Sequence, residues 1–178
     1  MTTIIAKQFN NKIVIGADSQ VTAIRKYSHP LMAKVNERGQ FLIAGAGESA
    51  ACDIAQHIWI PPSPTTADKK NLYHFMITKV IPSLRQCFKD NDYKYDKEAS
   101  DDYNFLFLIA VGGEIFEIGD DFSVCIDADG IYGIGSGSSY AIGALKAGAD
   151  LNLALNIASN LDAHTSAPFY FYEQVKRG

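Results

Sequence analysis

The chain reads as an α+β sandwich, antiparallel sheets covered by helix pairs, on three observations. Strand-like and helix-like segments come in blocks: strands, two helices, strands, two helices, a final strand. Residues that favour tight turns join neighbouring strand segments at Asn10-Asn11, Arg38-Gly39, Gly112-Gly113 and Asp129-Gly130, so those pairs read as hairpins. With 178 residues, 47% hydrophobic and 20% charged, the chain suits one domain spanning 1–178 and excludes disorder along its whole length.

The elements follow in order. Thr3–Gln8 and Lys12–Ser19 are apolar-rich strands, and Lys34–Glu37 with Gln40–Gly47 makes a second hairpin. Ser49–Ile60 carries Ala50, Ile54 and Ile58 at helical spacing, with Glu48-Ser49 as its cap. Pro61-Pro62-Ser63-Pro64 stops it, because proline lacks the amide donor. A second helix is predicted from Thr66–Asp68 onward, with Leu72, Met76, Val80 and Leu84 on one face and a kink or early end at Pro82. Asp90–Asp102 is polar, charged and read as an exposed connector. Strands resume over 103–111, 114–119, 123–127 and 131–135; helices follow over 138–149 and 151–161, with Asp150 as a cap between them; 169–175 closes as a strand.

Several function classes drop out. A net charge of −4 without a Lys/Arg stripe argues against nucleic acid. The longest clean apolar run, Phe105–Val111, is too short to span a bilayer, and the first seven residues lack a secretory pattern. Cys52, Cys87 and Cys125 form no Cys-x-x-Cys, and His29, His57, His74 and His164 have no zinc spacing. Reduced cysteines and a cytoplasmic location are expected. The Gly-rich run 133–139 follows a strand and opens a helix, the context of a phosphate cradle. Yet Ser138 stands where a dinucleotide fingerprint needs glycine or alanine, and no Gly-Lys-Ser/Thr is present. Asp127-Ala128-Asp129-Gly130 lacks the closing Glu of a calcium loop and reads as a hairpin turn.

The N-terminus is more informative. Removal of Met1 ahead of the small Thr2 leaves one residue with a free α-amine and a β-hydroxyl. An α-amine has an unperturbed pKa of about 7.7–8.0, suited to a general base at neutral pH. One residue then supplies both nucleophile and base. Lys34, if buried beside it, would lower the pKa of that amine and hydroxyl, and Asp18 at the end of the second strand would hold the lysine in place. Gly45 could offer its N–H to a developing oxyanion, with no side chain to obstruct a substrate.

Taken together, Thr2-Thr3-Ile4-Ile5, the strand-end Gly16-Ala17-Asp18-Ser19-Gln20-Val21-Thr22, Lys34-Val35, Ile43-Ala44-Gly45, Ile134-Gly135-Ser136-Gly137 and Asp162-Ala163-His164-Thr165 resemble the proteasome β-subunit and HslV family of N-terminal threonine hydrolases. The resemblance covers nearly the whole chain. It implies a four-layer αββα sandwich of the N-terminal-nucleophile type. It also implies Thr2 as nucleophile, Asp18 and Lys34 as its supporting pair, Gly45 as oxyanion donor, and Ser136, Asp162 and Thr165 around the amine. Val21, Thr22, Met32, Ile43 and Gly47 are expected to line a first specificity pocket for apolar residues. Stacked homo-oligomeric rings, an ATP-dependent unfoldase partner and protein or peptide substrates are implied, with no nucleic acid and no membrane. The resemblance implies that peptide hydrolysis requires no cofactor and that backbone carbonyls near Ser159, Asp162 and Thr165 offer a site for a cation. The chain departs from the family pattern where Thr165, followed by Ser166-Ala167, replaces the usual serine and glycine. The alternative is a catalytically inactive ring subunit that keeps Met1 and so has no free threonine amine.

Overall fold

The first strand already sets the layering. In β1 (Thr3–Gln8), Ile4 and Ala6 point to one side and Ile5 to the other, as the two-residue strand period requires, and all three are fully buried. A strand buried on both faces needs a layer on each. The structure is a computed structural model that describes residues 2–22, 26–27, 32–93 and 104–176.

β1 pairs antiparallel with β2 (Lys12–Ala17) through the Asn10-Asn11 turn. The short ribbon β3 (Val21–Thr22) with β4 (Lys26–Tyr27) follows and was not anticipated from sequence. The second sheet is a meander in chain order: β5 (Val35–Arg38), β6 (Phe41–Gly47), β7 (Phe105–Val111), β8 (Glu114–Ile118) and β9 (Val124–Cys125). The chain then returns to the first sheet, where β10 (Ile131–Gly135) flanks β1 and β11 (Tyr170–Val175) flanks β2, giving the order β10-β1-β2-β11.

Three cores separate four layers. Ile4, Ala6, Ile13 and Ile15 meet Val35, Leu42, Ala44 and Leu108 between the two sheets. On the outer face of the meander, Phe41, Ile43, Phe105, Phe107 and Phe116 pack against a helical layer through Ile54, Trp59, Phe75, Met76 and Leu84. On the outer face of the first sheet, Ile5 and Val14 pack against Ala141 and Leu145 of α4 (Ser138–Lys146) and Leu151, Ala154, Leu155 and Ala158 of α5 (Leu151–Leu161). This is the αββα sandwich.

The helices differ from expectation in instructive ways. α1 (Ser49–Asp53) continues as a π-helical turn, Ile54–Ile58, and ends before the proline run. Glu48 makes no side-chain cap; its Oε2 instead accepts the Tyr93 hydroxyl at 2.8 Å. The carbonyl of Trp59 is satisfied by Arg38, whose Nε and Nη2 donate at 3.2 and 2.9 Å. The second helix starts later than predicted: α2 (Leu72–Phe75) is capped by Asn71, whose Oδ1 accepts the His74 N–H at 2.9 Å, while Asp68–Lys70 forms only a 3₁₀ turn. Pro82 does not end it. A π-helical turn, Met76–Val80, leads directly into α3 (Ile81–Asp90), and the wider hydrogen-bond ring accommodates the proline without a break.

α4 is shorter than predicted, whereas α5 has the predicted bounds and is capped by Asp150, which accepts the Leu153 N–H at 2.8 Å. β9 is also shorter, because Asp121 and Asp127 draw the flanking N–H groups of Ser123, Asp129 and Ile131 into local turns. The charged connector lies beyond residue 93 mostly outside the described residues. No helix among the described residues is long and apolar enough to cross a membrane.

Candidate active site

β2 runs into Asp18, and a carboxylate at this point meets three separate chain segments. Its Oδ1 accepts the Thr3 N–H at 2.8 Å and the Lys34 ammonium at 2.5 Å. Its Oδ2 accepts the N–H of Gln20 at 3.0 Å and of Ser166 at 3.3 Å. Asp18 is 1% exposed and the Lys34 side chain 8%, so this is a buried pair with its carboxylate fully hydrogen-bonded. Burial lowers the Lys34 pKa; the Asp18 charge opposes that shift and does not cancel it.

A second cluster gathers around Asp162. Thr165 Oγ donates to Asp162 Oδ2 at 2.6 Å, Ser136 Oγ donates to the same oxygen at 2.8 Å, and the His164 N–H reaches Oδ1 at 3.2 Å. Burial pulls the Asp162 carboxyl up, and these donors outweigh it, leaving it below the usual carboxylate range. Thr165, standing where the family pattern has serine, thus keeps a hydroxyl on the Asp162 carboxylate. The 133–139 run serves this cluster and β1: Gly137 N–H donates to Thr3 Oγ1 at 3.0 Å.

Thr2 sits at the junction. Its carbonyl lies so close to Gly135 that a Cβ there would collide with it, and Gly135 has φ +92°, a backbone region natural to glycine. Thr2 lines a cavity together with Val21, Met32, Ala33, Lys34 and the strand end Gly45-Ala46-Gly47. Ser49, Cys52, Asp53, Gln56 and His57 complete it, a set at helical spacing on one face of α1 and the turn after it. Val21, Met32 and Gly47 thus stand where a specificity pocket was expected. Ile43 does not: it is fully buried in the core beneath the meander. The Thr22 side chain and Met1 lie outside the described residues.

Gly45, expected as the oxyanion donor, has its N–H already engaged: it is given to the Lys34 carbonyl at 3.3 Å. Glu48 N–H goes to Asn104 on the β7 side at 2.7 Å, so strand alternation turns the Gly47 N–H to the same edge as Gly45, past the first residue of β5. Gly47 has φ +112°, and a Cβ there would strike the Asn104 carbonyl, so only glycine fits.

Sequence reasoning missed three features here. Gln56 is buried, and its Nε2 donates to the carbonyls of Lys34 (2.8 Å) and Ile43 (3.2 Å). Thr3 is buried, with its hydroxyl 2.5 Å from Thr165 Oγ. The pocket face of α1 was legible in principle from the spacing 49, 52, 53, 56, 57.

No protein-family model matches the chain, and no curated protein sequence matches it either. Solved structures do. Thiobacillus denitrificans BPH in complex with epoxomicin aligns over 99% of this chain and 100% of its own at 21% identity, TM-score 0.76. Eukaryotic HslV from Trypanosoma brucei aligns over 97% and 98% at 21% identity, TM-score 0.64. An Anbu mutant from a Hyphomicrobium species aligns over 99% and 86% at 18% identity, TM-score 0.65. The four layers match over nearly the whole length of each chain, so this chain has the HslV and proteasome-type fold.

Proposed function

We propose that the protein is a threonine-type endopeptidase subunit of a cytoplasmic, self-compartmentalising ring protease, active once Met1 is removed. The observation that carries this reading is the single cavity shared by Thr2, Lys34 and the Gly45–Gly47 strand end, with Asp18 buried behind the lysine. The Thr2 hydroxyl attacks a substrate carbonyl, and its proton passes to the freed α-amine, directly or through water. Lys34, held by Asp18, stabilises the oxygen as it becomes nucleophilic. Gly47 N–H takes the oxyanion in place of Gly45. The amine then protonates the leaving nitrogen, and water releases the acyl-enzyme ester.

Ser136, Asp162 and Thr165 flank that amine and orient it. Val21 and Met32 give the pocket an apolar wall, and Asp53 and His57 give it a polar one. Hydrolysis by this route needs no cofactor. A cation on backbone carbonyls near Ser159, Asp162 and Thr165 would brace the loop bearing Asp162, which already closes through Thr165 N–H to the Asp162 carbonyl at 3.2 Å. Stacked homo-oligomeric rings, an ATP-dependent unfoldase and protein or peptide substrates belong to the same reading.

The test is the intact mass of purified protein after treatment with a peptide epoxyketone, a reagent that needs both the amine and the hydroxyl of an N-terminal threonine. Loss of Met1 together with an adduct is expected, and Thr2→Ala should abolish both the adduct and peptide hydrolysis. A full-length, unmodified mass would overturn the reading in favour of an inactive ring subunit.

A further inference from the structure

We propose that Thr3, next to the nucleophile, is a positioning residue: its hydroxyl anchors it to the Ser136–Asp162–Thr165 cluster while its main chain holds Asp18, and the two together fix how Thr2 is presented. The proposal rests on the threonine-peptidase reading above.

Thr3 opens a strand that otherwise runs Ile-Ile-Ala into the core, and it is fully buried. A hydroxyl there is costly unless it is bonded on both sides. It is. Thr165 spends its hydrogen on the ionised Asp162, an acceptor only, so at the 2.5 Å contact Thr3 Oγ1–H must be the donor to Thr165 Oγ. The Thr3 oxygen in turn accepts the Gly137 N–H at 3.0 Å. The hydrogen bonds therefore run one way, from Gly137 N–H through Thr3 and Thr165 to Asp162. Each hydroxyl polarises the next.

The backbone of Thr3 is tied as firmly to the other cluster. Its N–H donates to the Asp18 side chain at 2.8 Å, and its carbonyl accepts the Asp18 N–H at 3.0 Å. The Thr2–Thr3 peptide is planar, so fixing the Thr3 N–H fixes the plane from which the Thr2 Cα hangs. The space around Thr3 Oγ1 is closed: a Cβ on Gly137 would collide with that oxygen and sit 2.7 Å from Thr165 Oγ. One residue thus spans both charged clusters, with its side chain on one and its main chain on the other.

The test compares Thr3→Val, which keeps the branched shape and removes the hydroxyl, with Thr3→Ser, which keeps the hydroxyl. Readouts are kcat and KM on a fluorogenic peptide, the rate of epoxyketone adduct formation, and assembly by native mass. The expected result is a fall in kcat of about tenfold or more for Thr3→Val with KM nearly unchanged, and recovery to within about threefold of wild type in Thr3→Ser. Wild-type kcat in assembled Thr3→Val overturns the proposal, as does equal impairment of both variants, since the hydroxyl would then not be the operative group. Should Thr3→Val fail to assemble, Thr165→Val breaks the same chain one link later; a comparable loss is expected, and an unchanged rate overturns the proposal. Wild-type protein inert to the epoxyketone would instead refute the peptidase reading itself, and this inference with it.

Discussion

Asp18→Ala is the most demanding test of how the site is built. Asp18 accepts four hydrogen bonds, from the N–H groups of Thr3, Gln20 and Ser166 and from the Lys34 ammonium. Removing one partner of a buried pair, and so leaving the other charge unpaired, costs about 3–5 kcal/mol. That is a large part of a stability usually on the order of 5–15 kcal/mol. For a chain of this length it corresponds to a fall in melting temperature of roughly 6–20 °C. The loss should depend on pH. Burial already lowers the Lys34 pKa, and without Asp18 it falls further below its unfolded value of 10.5. The unfolded chain then holds more protons than the folded one across that interval, so the stability of the variant rises with pH relative to wild type.

Differential scanning calorimetry from pH 6 to 9, repeated on Lys34→Met and on the double variant, separates the contributions. If the unpaired ammonium is the source, the double variant is less destabilised than the two single losses added together, by about 0.5–3 kcal/mol. An Asp18→Ala protein melting within about 2 °C of wild type at pH 6 would refute the reasoning.

Two other measurements probe the pocket. Burial, reinforced by the Asp53 charge, pushes the Cys52 thiol from 9.0 up to about 12, against the opposing pull of Lys34. Its alkylation by iodoacetamide at pH 8 should be about tenfold or more slower in folded protein than in urea, and equal rates would contradict that burial. Gln56→Leu removes the donor to the Lys34 and Ile43 carbonyls. It should lower stability by about 1–3 kcal/mol in urea denaturation and reduce kcat; an unshifted urea midpoint would show that Gln56 does not hold the lysine strand in place.

Much of the fold was legible because hairpin turns and strand alternation are local. Asn10-Asn11 and Gly112-Gly113 fall between paired strands as read; the turn read at Arg38-Gly39 lies one residue on, at Gly39-Gln40, and Asp129-Gly130 is no hairpin, because β9 and β10 belong to different sheets. Helix boundaries were less so. Asn71, not the Thr66–Asp68 segment, caps the second helix, and a π-helical turn carries it through Pro82. These outcomes depend on which of several local hydrogen bonds wins after packing. In the site, Asp18 pairs with Lys34, and Ser136 and Thr165 bond Asp162; the family resemblance pointed to these residues, because a strand-end aspartate or a lone lysine taken singly reads as a turn or surface residue.

Gly45, Ile43 and Thr3 show where that signal ends. Ile43-Ala44-Gly45-Ala46-Gly47 offers two glycines, and nothing local says which N–H remains for a substrate. The pairing of β6 with the Lys34 carbonyl decides it, committing Gly45 and leaving Gly47 at the edge. Ile43 looks like a pocket residue until the pleat turns it into the core. Thr3 is one more β-branched residue in an apolar strand, and only the approach of Gly137 and Thr165, more than 130 positions away, gives its hydroxyl work. The sequence by itself determined the α+β class, which follows from short-range pattern, while its motifs carried the resemblance that singled out Thr2, Asp18 and Lys34. Only the tertiary structure decided which strand-end N–H is already engaged, which side chains wall the pocket and how the two charged clusters connect, because each rests on contacts between segments distant in the chain.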